Sequence, residues 1–167
     1  MYSLHCTKKL LDRLKRPITE VVESETRLGN WYATVLFWKP QMVLAVSEKT
    51  LLPVLLPLAP ATTLVERFPQ AVEEVLRALD MPEAVIAKEL QAMGEGVVCK
   101  TANRSLIGMM NEFSFLAESY RYHFGTVEPI EVMKKLVITP CRPIKYQSPK
   151  EVIEHNFRSN TVIENTG

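Results

Sequence analysis

Residues 96–122 read Gly-Val-Val-Cys-Lys-Thr-Ala-Asn-Arg-Ser-Leu-Ile-Gly-Met-Met-Asn-Glu-Phe-Ser-Phe-Leu-Ala-Glu-Ser-Tyr-Arg-Tyr, and this stretch decides the fold. The apolar run 97–99 predicts a short buried strand at the centre of a sheet, followed by a sharp polar turn. From residue 106 onward, apolar side chains recur at helical spacing, which predicts the longest helix of the chain. One stripe of this helix is expected to face the core: Leu106, Met109, Met110, Phe113, Leu116, Ala117 and Tyr120.

The same helix carries a second line of residues on its other side. Gly108, Phe115 and Tyr122 recur every seven residues, which predicts a helix packed on two sides, against a sheet and against another helix or a partner. Glycine inside a helix costs about 1 kcal/mol relative to alanine. Gly108 therefore indicates either close backbone packing or the approach of a ligand or partner.

A polar corner precedes the long helix. Asn103 stands where an N-cap is expected, Arg104 and Ser105 follow it, and Asn111 lies two turns further on. Free N–H groups at a helix N-terminus attract anions, and arginine can hold a carboxylate or phosphate with two hydrogen bonds. The competing explanation is that Asn103 only caps the helix and that Arg104 pairs with a glutamate.

Two lysines extend this candidate site. Lys8 and Lys9 follow a predicted strand at 2–6, and they would meet the polar corner if this strand and the strand at 97–100 are parallel neighbours. The predicted ligand-binding residues are Lys8, Lys9, Asn103, Arg104, Ser105 and Asn111. Catalytic residues cannot be named, because the sequence has no G-x-S-x-G, Walker, G-x-G-x-x-G or H-E-x-x-H motif.

The remaining pattern predicts an α+β fold, a small, mainly antiparallel sheet covered by three to four helices. A helix is expected at 8–14, a hairpin at 31–46, and an edge strand or extended segment at 51–58, where three prolines occur. Helices follow near 64–79 and 83–93. Capping boxes at Asp80–Glu83 and Ser148–Glu151 are expected to open the helix at 83 and a last helix at 149–157. We expect one domain over residues 1–157 and a loosely ordered C-terminal tail over 158–167.

The net charge of the chain limits the classes of partner that it can bind. The net charge of +1 excludes binding of nucleic acid by overall charge, so any basic patch is local. Two basic clusters are candidates for contact with a protein or nucleic-acid partner, although solvated faces are the commoner explanation of such clusters. They are Lys8, Lys9, Arg13, Lys15 and Arg16 in the first, and Lys134, Lys135, Arg142, Lys145 and Lys150 in the second. The oligomeric state is open.

The three cysteines, Cys6, Cys99 and Cys141, form no C-x-x-C motif and are expected to be free thiols in a reducing cytoplasm. We expect no metal site and no cofactor, because short metal-ligand spacings are missing. The apolar run 51–64 contains three prolines and is too short to span a bilayer, so no membrane segment is expected.

Four segments together resemble a family of small, uncharacterised bacterial proteins: His5-Cys6-Thr7-Lys8-Lys9-Leu10, Gly29-Asn30-Trp31-Tyr32-Ala33, Ser47-Glu48-Lys49-Thr50-Leu51 and Asn103-Arg104-Ser105-Leu106-Ile107-Gly108-Met109-Met110-Asn111. Members resemble R-C-T-K-K-L at the start and N-R-S-x-x-G-x-M-N in the middle, and this chain has His5 in place of the more usual Arg. The resemblance implies a bacterial, stand-alone cytoplasmic protein and no assigned activity.

Two hypotheses about function follow from these patterns. The first is a non-catalytic binding or regulatory protein that acts on a macromolecular partner. The second is a small-molecule or anion-binding protein, or an enzyme, with its site at the corner formed by residues 103–111. A flat basic face with exposed aromatic side chains would favour the first, and a deep polar pocket would favour the second.

Overall fold

The structure is a computed structural model that describes residues 1–125 and 128–166, the last nine of these by backbone alone. These residues form five strands and six helices, with 3₁₀ turns at Ala61–Thr63 and Arg142–Ile144. In chain order the elements are β1 Tyr2–Cys6, α1 Lys8–Leu14, β2 Trp31–Leu36, β3 Met42–Ser47, β4 Pro53–Pro57, α2 Leu64–Ala78, α3 Glu83–Met93, β5 Gly96–Lys100, α4 Arg104–Phe124, α5 Pro129–Leu136 and α6 Pro149–Thr166.

The five strands form one sheet in the order β4-β3-β2-β1-β5. Strand β1 runs parallel to both β2 and β5, whereas β2–β3 and β3–β4 are antiparallel. The predicted α+β class is confirmed, but the mainly antiparallel sheet is wrong because the sheet is mixed. The described residues also form more than the three to four helices expected. Parallel neighbours need long crossover connections, and α1 and the α2–α3 pair lie within those connections.

Strand β5 lies at an edge of the sheet, which corrects its predicted central position. The interior strands are β3, β2 and β1, and every residue of β1 is buried. The outer side of β5 is covered by the loop before β2, where the backbone N–H of Thr19 donates to the carbonyl of Val98 at 2.8 Å. This cover explains why an edge strand carries an apolar run, since edge strands need protection from further pairing.

Helices cover both faces of the sheet. Trp31 and Tyr32 are neighbours in β2 and therefore point to opposite faces. The Trp31 ring lies 5.0 Å from the ring of Phe68 in α2, and the Tyr2 hydroxyl donates to the backbone carbonyl of Val65 in the same helix. Helix α4 packs against β2 and β3, with Phe113 fully buried beneath it.

The helix ends agree only partly with the capping patterns. Ser148 Oγ accepts from the backbone N–H of Glu151, so the N-cap predicted at Ser148 is confirmed, while the Glu151 carboxylate accepts from the Ser148 hydroxyl in place of the backbone N–H expected in a capping box. The box at Asp80 is wrong: Asp80 has a φ of 58° and the N-cap of α3 is Pro82. Helix α6 is assigned to Thr166, past the predicted end at residue 157. The side chains of 158–166 and all of Gly167 lie outside the described residues, so the division into a domain and a tail stays a prediction.

Candidate functional site

The carboxyl ends of β1, β2 and β5 lie at the same edge of the sheet, because these three strands are parallel. Cys6 at the end of β1 is in register with Lys100 at the end of β5. The segments that follow both strands therefore begin side by side, as the sequence analysis required for a shared corner. Ligands of mixed and parallel sheets commonly bind at this edge. We call it the carboxyl-end edge.

A cleft of about 350 Å³ opens at the carboxyl-end edge between α1, the end of β2 and α4. Two of the six predicted site residues, Lys9 and Asn111, line it together. The remaining polar and aromatic lining comes from Thr34, Phe37, Trp38, Ser114, Glu118 and Arg121. We call this the edge cleft.

Two cations of the edge cleft lie over aromatic rings. Lys9 Nζ lies 5.6 Å from the centre of the Phe37 ring, and the Arg121 guanidinium lies 5.0 Å from the Trp38 ring. Arg121 also contacts both carboxylate oxygens of Glu118 at 3.4 Å. Phe37 remains 57% exposed. The cleft thus offers cationic groups and an apolar aromatic surface to a molecule approaching from solvent.

The other predicted residues lie apart from this cleft. Asn103 caps α4, because its side-chain oxygen accepts from the backbone N–H of Leu106 at 3.1 Å. Lys8 lines a separate depression of about 430 Å³ with Lys100 and Thr101. Arg104 and Ser105 are exposed at the start of α4. Among the side chains that the structure describes, no glutamate pairs with Arg104, so the expected alternative of such a pair is not observed.

A buried ring pair underlies the carboxyl-end edge. His5 stacks on Tyr32, and His5 Nδ1 lies 2.8 Å from the carbonyl oxygen of Lys100. Burial raises the pKa of Tyr32, the charge of Glu48 adds to this rise, and a hydrogen bond with the backbone of Asn103 opposes it. The phenol therefore stays neutral and serves as a support for the turn before α4.

The thiol nearest to this edge is not a nucleophile. Burial raises the pKa of Cys6 to about 12, with a smaller contribution from Cys99. Since the thiolate is the reactive form of cysteine, Cys6 is unreactive at neutral pH. All three cysteines are free and buried. Across residues 1–125 and 128–166, no group of three histidine, cysteine or acidic side chains is placed to hold a metal ion.

The two other motifs of the sequence resemblance build the opposite edge of the sheet. Asn30 Oδ1 accepts from the backbone N–H of Ser3, and its amide donates to the carbonyl of Val22. Glu48 Oε1 accepts from the backbone N–H of Asn30. Gly29 has a φ of 76°, and a Cβ there would lie 2.8 Å from the Glu48 side chain. These residues therefore hold strands together and are not available to a ligand.

A larger cavity of about 760 Å³ lies between the α2–α3 turn, α5 and α6. Its lining is mostly apolar, with Leu79, Val137 and Phe157 among its residues. Of the charged side chains at this cavity, Asp80, Lys134 and Lys150 are exposed and Glu154 is half-buried. The cavity thus has apolar surface but lacks, in the described part of the chain, a fully buried polar group that would orient a small ligand.

Sequence reasoning missed Phe37, Trp38 and Arg121 as parts of the edge cleft. The available signal was the pair Phe37-Trp38 directly after a strand, since large aromatic residues leaving a sheet often line a surface site. Arg121 could be found only once α4 was placed over the end of β2. No helix that the structure describes is long and apolar enough to cross a membrane.

The fold and the edge cleft define a small α+β protein with a polar and aromatic surface site. The chain belongs to the family described as Domain of unknown function (DUF6933), whose model matches residues 3–152. Comparisons with curated proteins and with solved structures gave no match.

Proposed function

We propose that this chain is a non-catalytic, cytoplasmic binding protein that holds an acidic segment of a partner protein in the edge cleft. The observation that supports this function is the pair of cation–aromatic contacts, Lys9 with Phe37 and Arg121 with Trp38, in an open cleft. Cations placed beside aromatic surface suit carboxylates that are interspersed with apolar side chains. Of the features expected for a macromolecular partner, the site has an exposed aromatic side chain, Phe37, beside cations, although it is an open cleft and not a flat face.

A binding role is favoured over catalysis by the chemistry of the cleft. The acidic side chain in it, Glu118, is held by Arg121, so it is not poised as a general base. The nearby Cys6 is a neutral thiol, and Ser114 Oγ donates to the backbone carbonyl of Met110 at 2.7 Å. The described cleft residues therefore include no activated nucleophile.

A protein partner is favoured over nucleic acid by charge. Nucleic-acid binding depends on neutralising many phosphates with a broad basic surface. The chain has a net charge of only +1, and Glu118 places a carboxylate inside the cleft. A short acidic peptide carries few charges and needs only a local pair of cations, whereas a phosphate backbone carries a charge at every nucleotide and needs a broad basic surface; Glu118 opposes both ligands.

Fluorescence anisotropy with defined probes tests this function. The probes are a labelled peptide of alternating acidic and aromatic residues, its basic counterpart and a labelled oligothymidine. We expect the acidic peptide alone to bind, with an affinity that falls as salt is added. Lys9→Glu should weaken binding at least about tenfold, which corresponds to 1.4 kcal/mol. Lys150→Glu, an equal charge change at an exposed residue of α6, should not.

If Lys9→Glu and Lys150→Glu weaken binding of the acidic peptide equally, the peptide is attracted by the overall charge of the protein. This result would contradict a binding site at the edge cleft. Binding of oligothymidine in place of the peptide would show that the partner of the edge cleft is a nucleic acid. Either result overturns the assignment of an acidic protein segment.

The second candidate function is a small anion-binding protein, and the size of the edge cleft favours it. A volume of about 350 Å³ lies at the lower end of the range for small-molecule sites. Lys9 and Asn111 would then hold the anion. Thermal unfolding with added citrate or phosphate tests this alternative, because a ligand that binds only the folded state raises Tm. A rise in Tm that Lys9→Gln abolishes would favour the small anion over the acidic peptide.

A further inference from the structure

Helix α4 has an exposed aromatic face directly opposite its buried face. Phe115 is 74% exposed and Tyr122 is 83% exposed. Gly108 lies in line with them one heptad earlier, and a Cβ added there would meet no atom within 4 Å. Of the two explanations that the sequence left open for Gly108, close backbone packing is therefore not supplied by the described part of this chain. Two large aromatic residues and one gap form a line along the helix, which we call the outer stripe.

The outer stripe is complementary to itself. Phe115 lies midway between Gly108 and Tyr122, about 10.5 Å along the axis from each. If two α4 helices pack antiparallel with their Phe115 side chains at a two-fold axis, the residue seven positions before Phe115 faces the residue seven positions after it. Tyr122 of one copy then lies over Gly108 of the other. A C₂ interface requires this kind of matching of one surface with itself.

The residues on either side of the outer stripe are also complementary between the two copies in this antiparallel arrangement. Glu112 and Ser119 lie on one flank, about 4.5 Å before and about 6 Å after the level of Phe115. A two-fold axis brings each flank beside the same flank of the second copy, so the Ser119 hydroxyl can donate to the Glu112 carboxylate. Asn111 and Glu118 are related in the same way on the other flank. Each carboxylate is therefore met by a donor from the second copy.

A parallel pair of helices lacks the match between gap and aromatic ring. It would place Gly108 against Gly108, which leaves a gap, and Tyr122 against Tyr122. The antiparallel pair places each Tyr122 over the gap at Gly108 of the other copy. The spacing of Gly108, Phe115 and Tyr122 thus fits a second copy of this chain in one orientation.

We infer that the chain forms a C₂ homodimer through the outer stripe of α4. The dimer has a consequence for the carboxyl-end edge. Asn111 and Glu118, on one flank of the stripe, also line the edge cleft. Because the two-fold axis keeps this flank on the same side in both copies, the two edge clefts open side by side. The dimer goes beyond the proposed binding function, because the inference does not depend on which ligand the edge clefts bind.

Sedimentation analysis of the full chain over a concentration series, from low micromolar to several hundred micromolar, tests the dimer. We expect reversible dimerisation in the wild-type protein. Gly108→Arg places a long side chain in the gap beneath the second copy's Tyr122, and its Cβ meets no described atom of its own chain within 4 Å, so it should raise the dimer dissociation constant at least about tenfold. Its Tm at low protein concentration should not fall, because glycine is the poorer helix former.

Phe124→Ala is the matched control, since Phe124 is 65% exposed on the same helix but lies off the outer stripe. It should leave the dissociation constant unchanged.

A second measurement uses Phe115→Cys, which should form a disulfide-linked dimer faster than Phe124→Cys. A wild-type chain that stays monomeric throughout the series, or a dimer that Gly108→Arg leaves intact, would overturn the inference. Peptide binding to the edge cleft is measured separately and does not depend on this result.

Discussion

The imidazole ring of His5 lies flat against the phenol ring of Tyr32, with ring centroids 4.4 Å apart and planes inclined by 10°. His5 belongs to β1 and Tyr32 to β2, and they are partners in the parallel register. The His5 Nδ1 atom also lies 2.8 Å from the carbonyl oxygen of Lys100 at the end of β5. A carbonyl oxygen only accepts hydrogen bonds, so Nδ1 carries the proton. One side chain therefore joins three strands where the carboxyl-end edge begins.

Replacing His5 should destabilise the fold without emptying the core. His5→Ala removes the ring stack and leaves the Lys100 carbonyl without this donor, so we expect the free energy of unfolding to fall by about 1–3 kcal/mol. Tyr32→Phe keeps the ring stack and serves as the control, with a smaller loss. Urea unfolding measures both. Equal stability of the His5→Ala variant and the wild type would show that this junction of strands is not structurally important.

The buried face of α4 should be far more sensitive than its outer stripe. Phe113→Ala empties a fully buried site, and such substitutions lower the free energy of unfolding by about 3–5 kcal/mol. Phe115→Ala makes the same chemical change two residues away, on a side chain that is 74% exposed. In dilute protein, where the chain is monomeric, it should change stability by less than about 0.5 kcal/mol. Similar losses in the two variants would contradict the orientation of α4.

The cysteines should behave as three buried, free thiols. Burial raises the pKa of Cys6 to about 12 and that of Cys141 to about 11, and Cys99 is also buried. At pH 8 all three should react with a thiol reagent only as fast as the protein unfolds, whereas urea should release three reactive groups at once. Mass spectrometry without reductant measures the number of free thiols and any bound zinc. An intramolecular disulfide, or one equivalent of zinc, would contradict this prediction.

Local pattern identified most elements of the fold but not their order in the sheet. The predicted limits of β1 and α1 are confirmed because their apolar residues alternate or recur at helical spacing. The parallel pairing of β1 with both β2 and β5 depends on helices packing against distant strands, which spacing within a segment does not encode. The apolar run of β5 indicated burial, and burial comes from the loop that covers its edge. The Asp80 capping box failed because Asp80 adopts a turn conformation with positive φ.

The sequence could predict a contact of the candidate site only where both partners lie in the same short segment of the chain. The cap at Asn103 is local, so its hydrogen bond to Leu106 could be predicted. Lys9 in α1 and Asn111 in α4 lie in one cleft because both helices pack against β2. Lys8 is adjacent to Lys9 in sequence, yet it lines a different depression, because neighbouring residues of a helix point in directions about 100° apart. The assignment of a ligand to these residues stays a prediction.

The buried carboxyl group of Glu89 should make the stability of the protein depend on pH. This side chain of α3 is 3% exposed, and its Oε1 accepts from the backbone N–H of Arg27. Its Oε2 has no hydrogen-bond partner among the described residues. Burial raises the pKa of Glu89 above the model-compound value of 4.5, while the backbone N–H groups of Arg27 and Leu28 partly oppose the rise. The folded protein therefore binds this proton more tightly than the unfolded chain does.

The sign of the pH dependence follows from that difference. Between the unfolded and folded pKa values of Glu89, the folded state holds more protons, so this group makes the protein less stable as pH rises through that interval. Glu89→Gln removes the titration. The stability of Glu89→Gln relative to wild type should therefore rise with pH from below 4.5 and become constant above the folded pKa, as measured by urea unfolding at a series of pH values.

Glu66→Gln is the matched control because its effect has the opposite sign. A hydrogen bond from Arg16 lowers the pKa of Glu66, so the charged form of Glu66 stabilises the fold above its unfolded pKa, and this contribution is lost as pH falls through the folded pKa. Relative to wild type, Glu66→Gln should therefore lose stability as pH rises, by a small amount, since the ion pair is exposed. Curves of the same sign for both variants would mean that the burial of Glu89 does not penalise its charge.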